Sequence, residues 1–168
     1  DFRAALSTAL KAALGPVEGL ANARAAAGSV FATMATTLKG EAANLDEAIA
    51  LRAVLPTSAA ILVLNGLPDG AEDEAAARSI TPVLNSRGQV DAWAGVARRH
   101  ERRLPAALQV DSGMSRLGLD AVELAALVDA PDRLAPLDLR LVMSHLACAE
   151  DQAHPMNRAQ LRNFAAAR

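Results

Sequence analysis

Ala59-Ala60-Ile61-Leu62-Val63-Leu64 is an unbroken apolar run closed by Asn65-Gly66, with Pro68-Asp69-Gly70 just beyond. Six apolar residues stopped by turn formers predict a strand buried on both faces, as in parallel sheets covered by helices. Outward from this run the pattern repeats. Residues 71–78 predict a helix, residues 80–84 a second strand, and Asn85-Ser86-Arg87-Gly88 a turn into a helix from Gln89 to Arg102. Pro82 lies in that second strand, and a residue without an N–H is expected at a strand end. Residues 106–110 predict a third strand, Asp120 caps a helix over 121–128, residues 139–143 predict a fourth strand, and 155–168 a helix carrying Leu161 and Phe164. Upstream, residues 46–55 read as a helix stopped by Pro56. Residues 2–14 and 17–27 look helical, and 29–38 fit strand or helix.

Short strands alternating with helices define an α/β chain with parallel strands. At 168 residues it is expected to form one compact domain that needs no disulfide staple, and Cys148, the single cysteine, has no internal partner. Seventeen basic against 19 acidic side chains, with only Phe2, Phe31, Trp93 and Phe164 as aromatics, argue against a nucleic-acid groove. Arg98, Arg99, Arg102 and Arg103 cluster around Glu101 and read as a solvated helix end. No apolar run approaches the roughly 20 residues of a membrane span, and the opening Asp1-Phe2-Arg3 lacks a signal-peptide pattern, so a cytoplasmic location with no membrane partner is expected. The chain begins without methionine and stops at Arg168 within a helical pattern, as a fragment would.

In a parallel barrel the reactive groups lie just past the C-terminal strand ends. Past the third strand runs Val110-Asp111-Ser112-Gly113-Met114-Ser115-Arg116-Leu117-Gly118, which sets Arg116 at the mouth as a cation suited to an acidic or phenolate oxygen. The plainer alternative is an Arg116–Asp111 pair that pins the loop. Past the fourth strand, Ser144-His145-Leu146-Ala147-Cys148 places His145 where it would stack on or hydrogen-bond a ring, or serve as an ordinary structural histidine. His145, Cys148 and His154 lack a convincing fourth ligand, so no zinc site is expected. Asn65–Gly70 reads as turn chemistry, since its glycine spacing matches no phosphate loop.

The segment from Val110 to Gly118 resembles the Asp-Thr-Gly-Met-x-Arg-Leu-Gly segment of the bacterial alanine racemases, with serine in place of threonine. Met143-Ser144-His145-Leu146-Ala147 with Pro155-Met156-Asn157, Gln160 and Phe164 looks like that family's next strand and helix. Val63-Leu64-Asn65-Gly66, Pro82-Val83-Leu84-Asn85-Ser86 and Asp46-Glu47-Ala48-Ile49-Ala50-Leu51-Arg52 are similar to it as well. The likeness covers residues 43–168, with residues 1–42 poorly matched.

The resemblance implies a pyridoxal 5'-phosphate enzyme that interconverts L- and D-alanine for cell-wall synthesis, an amino-acid racemase built on a (β/α)8 TIM-type barrel followed by a β-rich domain. Such a barrel takes about 250 residues, so this chain is expected to be a single partial barrel domain, incomplete by length, from a fragment or shortened form of the enzyme. By motif, Arg116 would hold the cofactor's phenolic oxygen and lie near the substrate carboxylate, with Met114 in the same loop, and His145 would contact the pyridine ring. Gln109 falls where many members carry a carbamylated lysine that orients the arginine, leaving a neutral amide to do that job.

The family chemistry needs a Schiff-base lysine on one face of the substrate and a tyrosine from the partner subunit's C-terminal domain on the other. This chain has no tyrosine, and its only lysines are Lys11 and Lys39. Lys39-Gly40-Glu41-Ala42 keeps the lysine, the acid two residues on and the alanine of Lys-Ala-Asp-Ala-Tyr-Gly; Lys11-Ala12 has the better distance to Asp46. Either is the candidate catalytic lysine. The other readings are a non-catalytic barrel remnant and a cofactor-binding or interaction module. Association is expected either as a homodimer or through the open sheet edge.

Overall fold

The computed structural model describes residues 42–55 and 57–167. Their elements are α1 (Leu45–Val54), β1 (Leu62–Val63), α2 (Glu72–Ala77), β2 (Thr81–Leu84), α3 (Arg87–Arg99), β3 (Leu104–Gln109), α4 (Ala121–Asp129), a 3-10 turn at Pro131–Arg133, β4 (Leu137–Met143) and α5 (Pro155–Ala167). The strands lie in the order β1-β2-β3-β4 and every pair is parallel. A doubly wound sheet reverses its strand order, whereas here each strand neighbours the next in sequence, as in a barrel wall. The fold is thus α/β, a partial barrel with parallel strands.

Local chemistry fixes where the helices begin. The Asn44 side chain accepts from the Glu47 N–H at 3.1 Å while Glu47 Oε2 accepts from the Ala43 N–H at 2.6 Å, a reciprocal cap that opens α1. Ser86 Oγ accepts from the Gln89 N–H, so α3 starts at Arg87, two residues before its expected start. Asp120 caps α4 as expected, accepting from the Val122 and Glu123 N–H groups at 2.8 Å each. Trp93 is buried on α3 and its indole N–H donates to the Pro105 carbonyl at 3.1 Å, fixing that helix against β3.

The strands differ from expectation: β3 and β4 each begin two residues early, at Leu104 and Leu137, and the first two strands differ more. β1 is only two residues long, because Ala59 and Ala60 turn toward the surface and only Ile61, Leu62 and Val63 reach β2. Pro82 sits in the interior of the sheet rather than at a strand end. β2 pairs with β1 through Thr81 and Pro82 and with β3 only from Val83 onward, so the missing N–H falls ahead of the β3 ladder.

The sheet has two apolar faces. Val63, Leu84, Leu104, Ala106, Leu108, Leu137 and Leu139 pack under the helices. Val83, Ala107 and Met143, with Leu62, Leu64 and Leu141, form a second cluster on the inner face. Between β3 and β4 the register slips: Ala106 pairs with Leu139, but Ala107 pairs with Leu141. The extra residue is Arg140. Without this bulge Leu141 and Met143 would share the outward face of Leu137 and Leu139, because side chains alternate with period two. The bulge therefore turns the last part of β4 onto the face of Ala107.

The arginine cluster at the end of α3 is exposed, as expected. Arg99 pairs with Asp73 at 2.6 Å, and Arg103 donates to the Leu137 carbonyl. Asp73 is exposed; hydrogen bonds from His100 and Arg99 lower its pKa below the ordinary carboxylate value. No helix among the described residues is long and apolar enough to cross a membrane.

Candidate functional site at the C-terminal strand ends

Gln109 ends β3, two residues beyond Ala107 and so on the inner face, and is only 3% exposed. The chain then makes an excursion over residues 111–118 and returns beside itself. Val110 and Leu119 form a parallel bridge, the Leu119 N–H donates to the Gln109 carbonyl at 2.8 Å, and the Asp111 N–H donates to the Leu119 carbonyl at 3.0 Å. Gly118 makes this return geometrically available. Its φ is +113°, and a Cβ there would lie 2.7 Å from the Asp111 nitrogen and 2.8 Å from the Val110 carbonyl carbon.

Asp111 shapes the loop from within, its Oδ1 accepting the N–H groups of Gly113 at 2.9 Å and Ser115 at 3.0 Å. Partial burial pushes its pKa up and is the largest single influence, but the backbone donors of Ser115, Gly113 and Met114 together hold it below the ordinary carboxylate value. The Arg116–Asp111 pair weighed from sequence does not form. Arg116 is exposed, and its guanidinium makes no hydrogen bond or ion pair with another described residue. Ser115, immediately before it, takes φ +55°. Met114 is half-buried in the same loop.

On the neighbouring strand, the chain leaves Met143 into Ser144 and a half-buried His145. Ser144 Oγ lies 2.7 Å from Ser112 Oγ, which ties the two loops together. Gln160 on α5, 1% exposed, braces them from outside. Its Oε1 accepts from the Ala147 N–H at 2.8 Å, and its Nε2 donates to the His145 carbonyl at 2.8 Å and Ser112 Oγ at 3.3 Å. Asn163 adds a bond to the Ser112 carbonyl at 2.9 Å.

Gln109 joins the Arg116 and His145 segments directly. Its Nε2 donates to the Leu117 carbonyl at 3.2 Å and its Oε1 lies 3.2 Å from His145 Nδ1. The amide thus reaches the backbone beside Arg116 rather than its guanidinium, and makes no direct contact of the orienting kind the resemblance implies. A second amide performs a similar service on β1 and β2. Buried Asn85 donates to the Leu64 and Val83 carbonyls at 2.9 and 3.0 Å. The Asn65–Gly70 stretch is the turn expected, with Gly66 at φ +78° lying so close to the Gln89 amide that a Cβ would approach within 2.5 Å.

Of the expected site residues, Arg116, Met114 and His145 lie in two adjoining loops past the ends of β3 and β4. Lys11 and Lys39 lie outside the described residues. Sequence reading passed over Gln160 as a brace and Gln109 as the partner of His145; the available signal was a single polar residue closing the apolar strand Leu104–Gln109. Cys148 is half-buried with its Sγ 3.9 Å from Met156 Sδ, a packing contact.

A parallel sheet wound in one direction, each strand beside the next in sequence, defines a barrel domain, with Arg116 and His145 past two adjacent C-terminal strand ends. The sequence model of the alanine racemase N-terminal domain matches residues 11–168, and the chain belongs to that family. It is 49% identical over 125 residues to an alanine racemase of Rhodospirillum rubrum, covering 74% of this chain and 33% of that protein. A catabolic alanine racemase of Mesorhizobium japonicum is 48% identical over 122 residues, covering 73% and 32%. Among solved structures, alanine racemase from Bartonella henselae with covalently bound pyridoxal phosphate matches at TM-score 0.71 and 39% identity, over 74% of this chain and 36% of that one. The Streptomyces lavendulae enzyme matches at TM-score 0.64 and 28% identity, over 73% and 32%. The chain spans about a third of the length of these relatives.

Proposed function

We propose that this chain is part of a pyridoxal 5'-phosphate-dependent alanine racemase and supplies one wall of its cofactor mouth. The observation that carries the reading is the joining of the Arg116 and His145 segments by Gln109 at one end of the sheet. The donor set fits the ring end of the cofactor. Arg116 is a guanidinium without a protein counter-ion among the described residues, suited to the phenolate oxygen and to a substrate carboxylate. His145 is braced through both its backbone carbonyl and its ring, as a side chain set against a planar ring must be. Residues 1–168 are read as a single partial barrel domain.

Pyridoxal phosphate, when bound, supplies the electron sink that makes the α-proton of an amino acid removable. Arg116 would orient anionic oxygens through the paired N–H donors of its planar guanidinium. Met114 would face the substrate from the same loop. Lys11 or Lys39 would hold the cofactor covalently and carry the proton on one face of the substrate; the group for the other face would come from a partner subunit in a dimer. The names of the relatives support alanine as substrate, and the same reading places the enzyme in the cytoplasm and in cell-wall synthesis.

The test is titration of the purified protein with pyridoxal phosphate, followed by borohydride reduction and peptide mapping. The reading expects visible absorption and a cofactor fixed irreversibly on Lys11 or Lys39. A colourless protein with no labelled lysine overturns it and leaves a non-catalytic interaction module.

A further inference from the structure

The Gln109 amide has two distinguishable ends, and its surroundings decide which is which. The atom 3.2 Å from the Leu117 carbonyl must be the NH2 group, because a carbonyl oxygen only accepts. The other end, facing His145 Nδ1 at 3.2 Å, is then the amide oxygen, which also only accepts. A hydrogen bond there requires the proton to sit on Nδ1. We infer that Gln109 is a positioning residue that holds neutral His145 as its Nδ1–H tautomer and leaves Nε2 as the nitrogen with a free lone pair.

Two further contacts hold the ring in place for this role. The His145 carbonyl is gripped by Gln160 Nε2 at 2.8 Å, and Gln109 is 3% exposed, so little water competes for the bond. The amide partner is also neutral. A carboxylate or carbamate at the same point would favour a charged imidazolium, whereas glutamine fixes the tautomer without adding charge beside Arg116. One loop therefore carries a guanidinium and the next, in the neutral imidazole, a hydrogen-bond acceptor at His145 Nε2. If the pyridoxal-phosphate reading holds, the neutral form of His145 would offer Nε2 as an acceptor beside the cofactor; that consequence rests on the functional reading, while the tautomer itself does not.

The experiment is long-range 1H–15N correlation of the ring nitrogens in the 15N-labelled intact chain, recorded where imidazoles are neutral, with the His145 signals assigned by their loss in His145→Asn. The expected result is a pyrrole-type Nδ1 and a pyridine-type Nε2. The reverse pattern, or an even mixture, overturns the inference with no variant needed. Gln109→Met keeps the volume and removes the acceptor, so the His145 signals should move toward the Nε2–H pattern; an unchanged tautomer in Gln109→Met also overturns it. Nδ1–H in a chain that binds no pyridoxal phosphate keeps this inference and removes the functional reading, and Nε2–H in a chain that binds it does the opposite.

Discussion

Gln109 Oε1 lies 3.2 Å from His145 Nδ1, across the junction between the ends of β3 and β4. The contact exists because of a backbone irregularity further down β4. The bulge at Arg140 turns Leu141 and Met143 onto the inner face, and the segment leaving Met143 carries His145 to the side where Gln109 stands. The site thus depends on register as much as on the residues that touch.

The return of the Arg116 loop rests on Gly118. Gly118→Ala forces a Cβ against the backbone of Val110 and Asp111 at a positive φ, two faults at one position. The expected loss is about 1–3 kcal/mol of unfolding free energy, read by urea denaturation. A loss below about 0.5 kcal/mol, within the range of neutral surface changes, contradicts this account of the loop.

The loop also carries an acid dependence. The folded-state pKa of Asp111 lies below its ordinary value, so the fold favours the carboxylate. Its contribution is complete above the unfolded pKa and is lost as the pH falls through the depressed folded value, in a window below about pH 4. The amide shifts of Gly113 and Ser115, followed by NMR into that range, should move together, and in Asp111→Asn, which cannot titrate, they should stay flat. Equal acid sensitivity in the variant would assign the effect to another group.

Gln160 binds both loops from α5. Gln160→Met keeps the volume but leaves the Ala147 N–H and the His145 carbonyl without this partner. About 2 kcal/mol of stability should be lost, because both groups are only part-buried and each falls at the low end of the about 1–3 kcal/mol that leaving a buried group unpaired costs. Hydrogen exchange at the Ala147 amide should accelerate more than exchange within β3. Uniform acceleration throughout the sheet would mean that Gln160 acts on the fold as a whole.

Much of this was legible in the sequence. The winding of the sheet was readable because the strands expected at 59–64, 80–84, 106–110 and 139–143 are mostly apolar and separated by helical segments, and Asp120 announced its helix through a side chain that only local geometry governs. Pro82 misled because the rule about proline in strands concerns which neighbour loses a hydrogen bond, and that depends on where pairing with β3 begins. The face of β4 was not readable: Leu137, Leu139, Leu141 and Met143 alternate regularly, yet the bulge divides them between two faces. In the site, Arg116 and His145 stood out by position. Asp111 looked like a partner for Arg116, but local backbone donors engaged it first. Gln109 could be singled out as the polar residue closing an apolar strand, but not matched to His145, since the contact spans residues 36 positions apart.

The central claim is that the loops past β3 and β4 form one mouth for a planar anionic cofactor. Amide 1H–15N spectra of the intact chain during titration with pyridoxal phosphate test it most directly. The account predicts that the resonances of residues 113–118 and 144–147 shift together with the Gln109 side-chain amide, along a single saturation curve. Shifts confined to one of the two loops, or to the opposite end of the sheet, would contradict it.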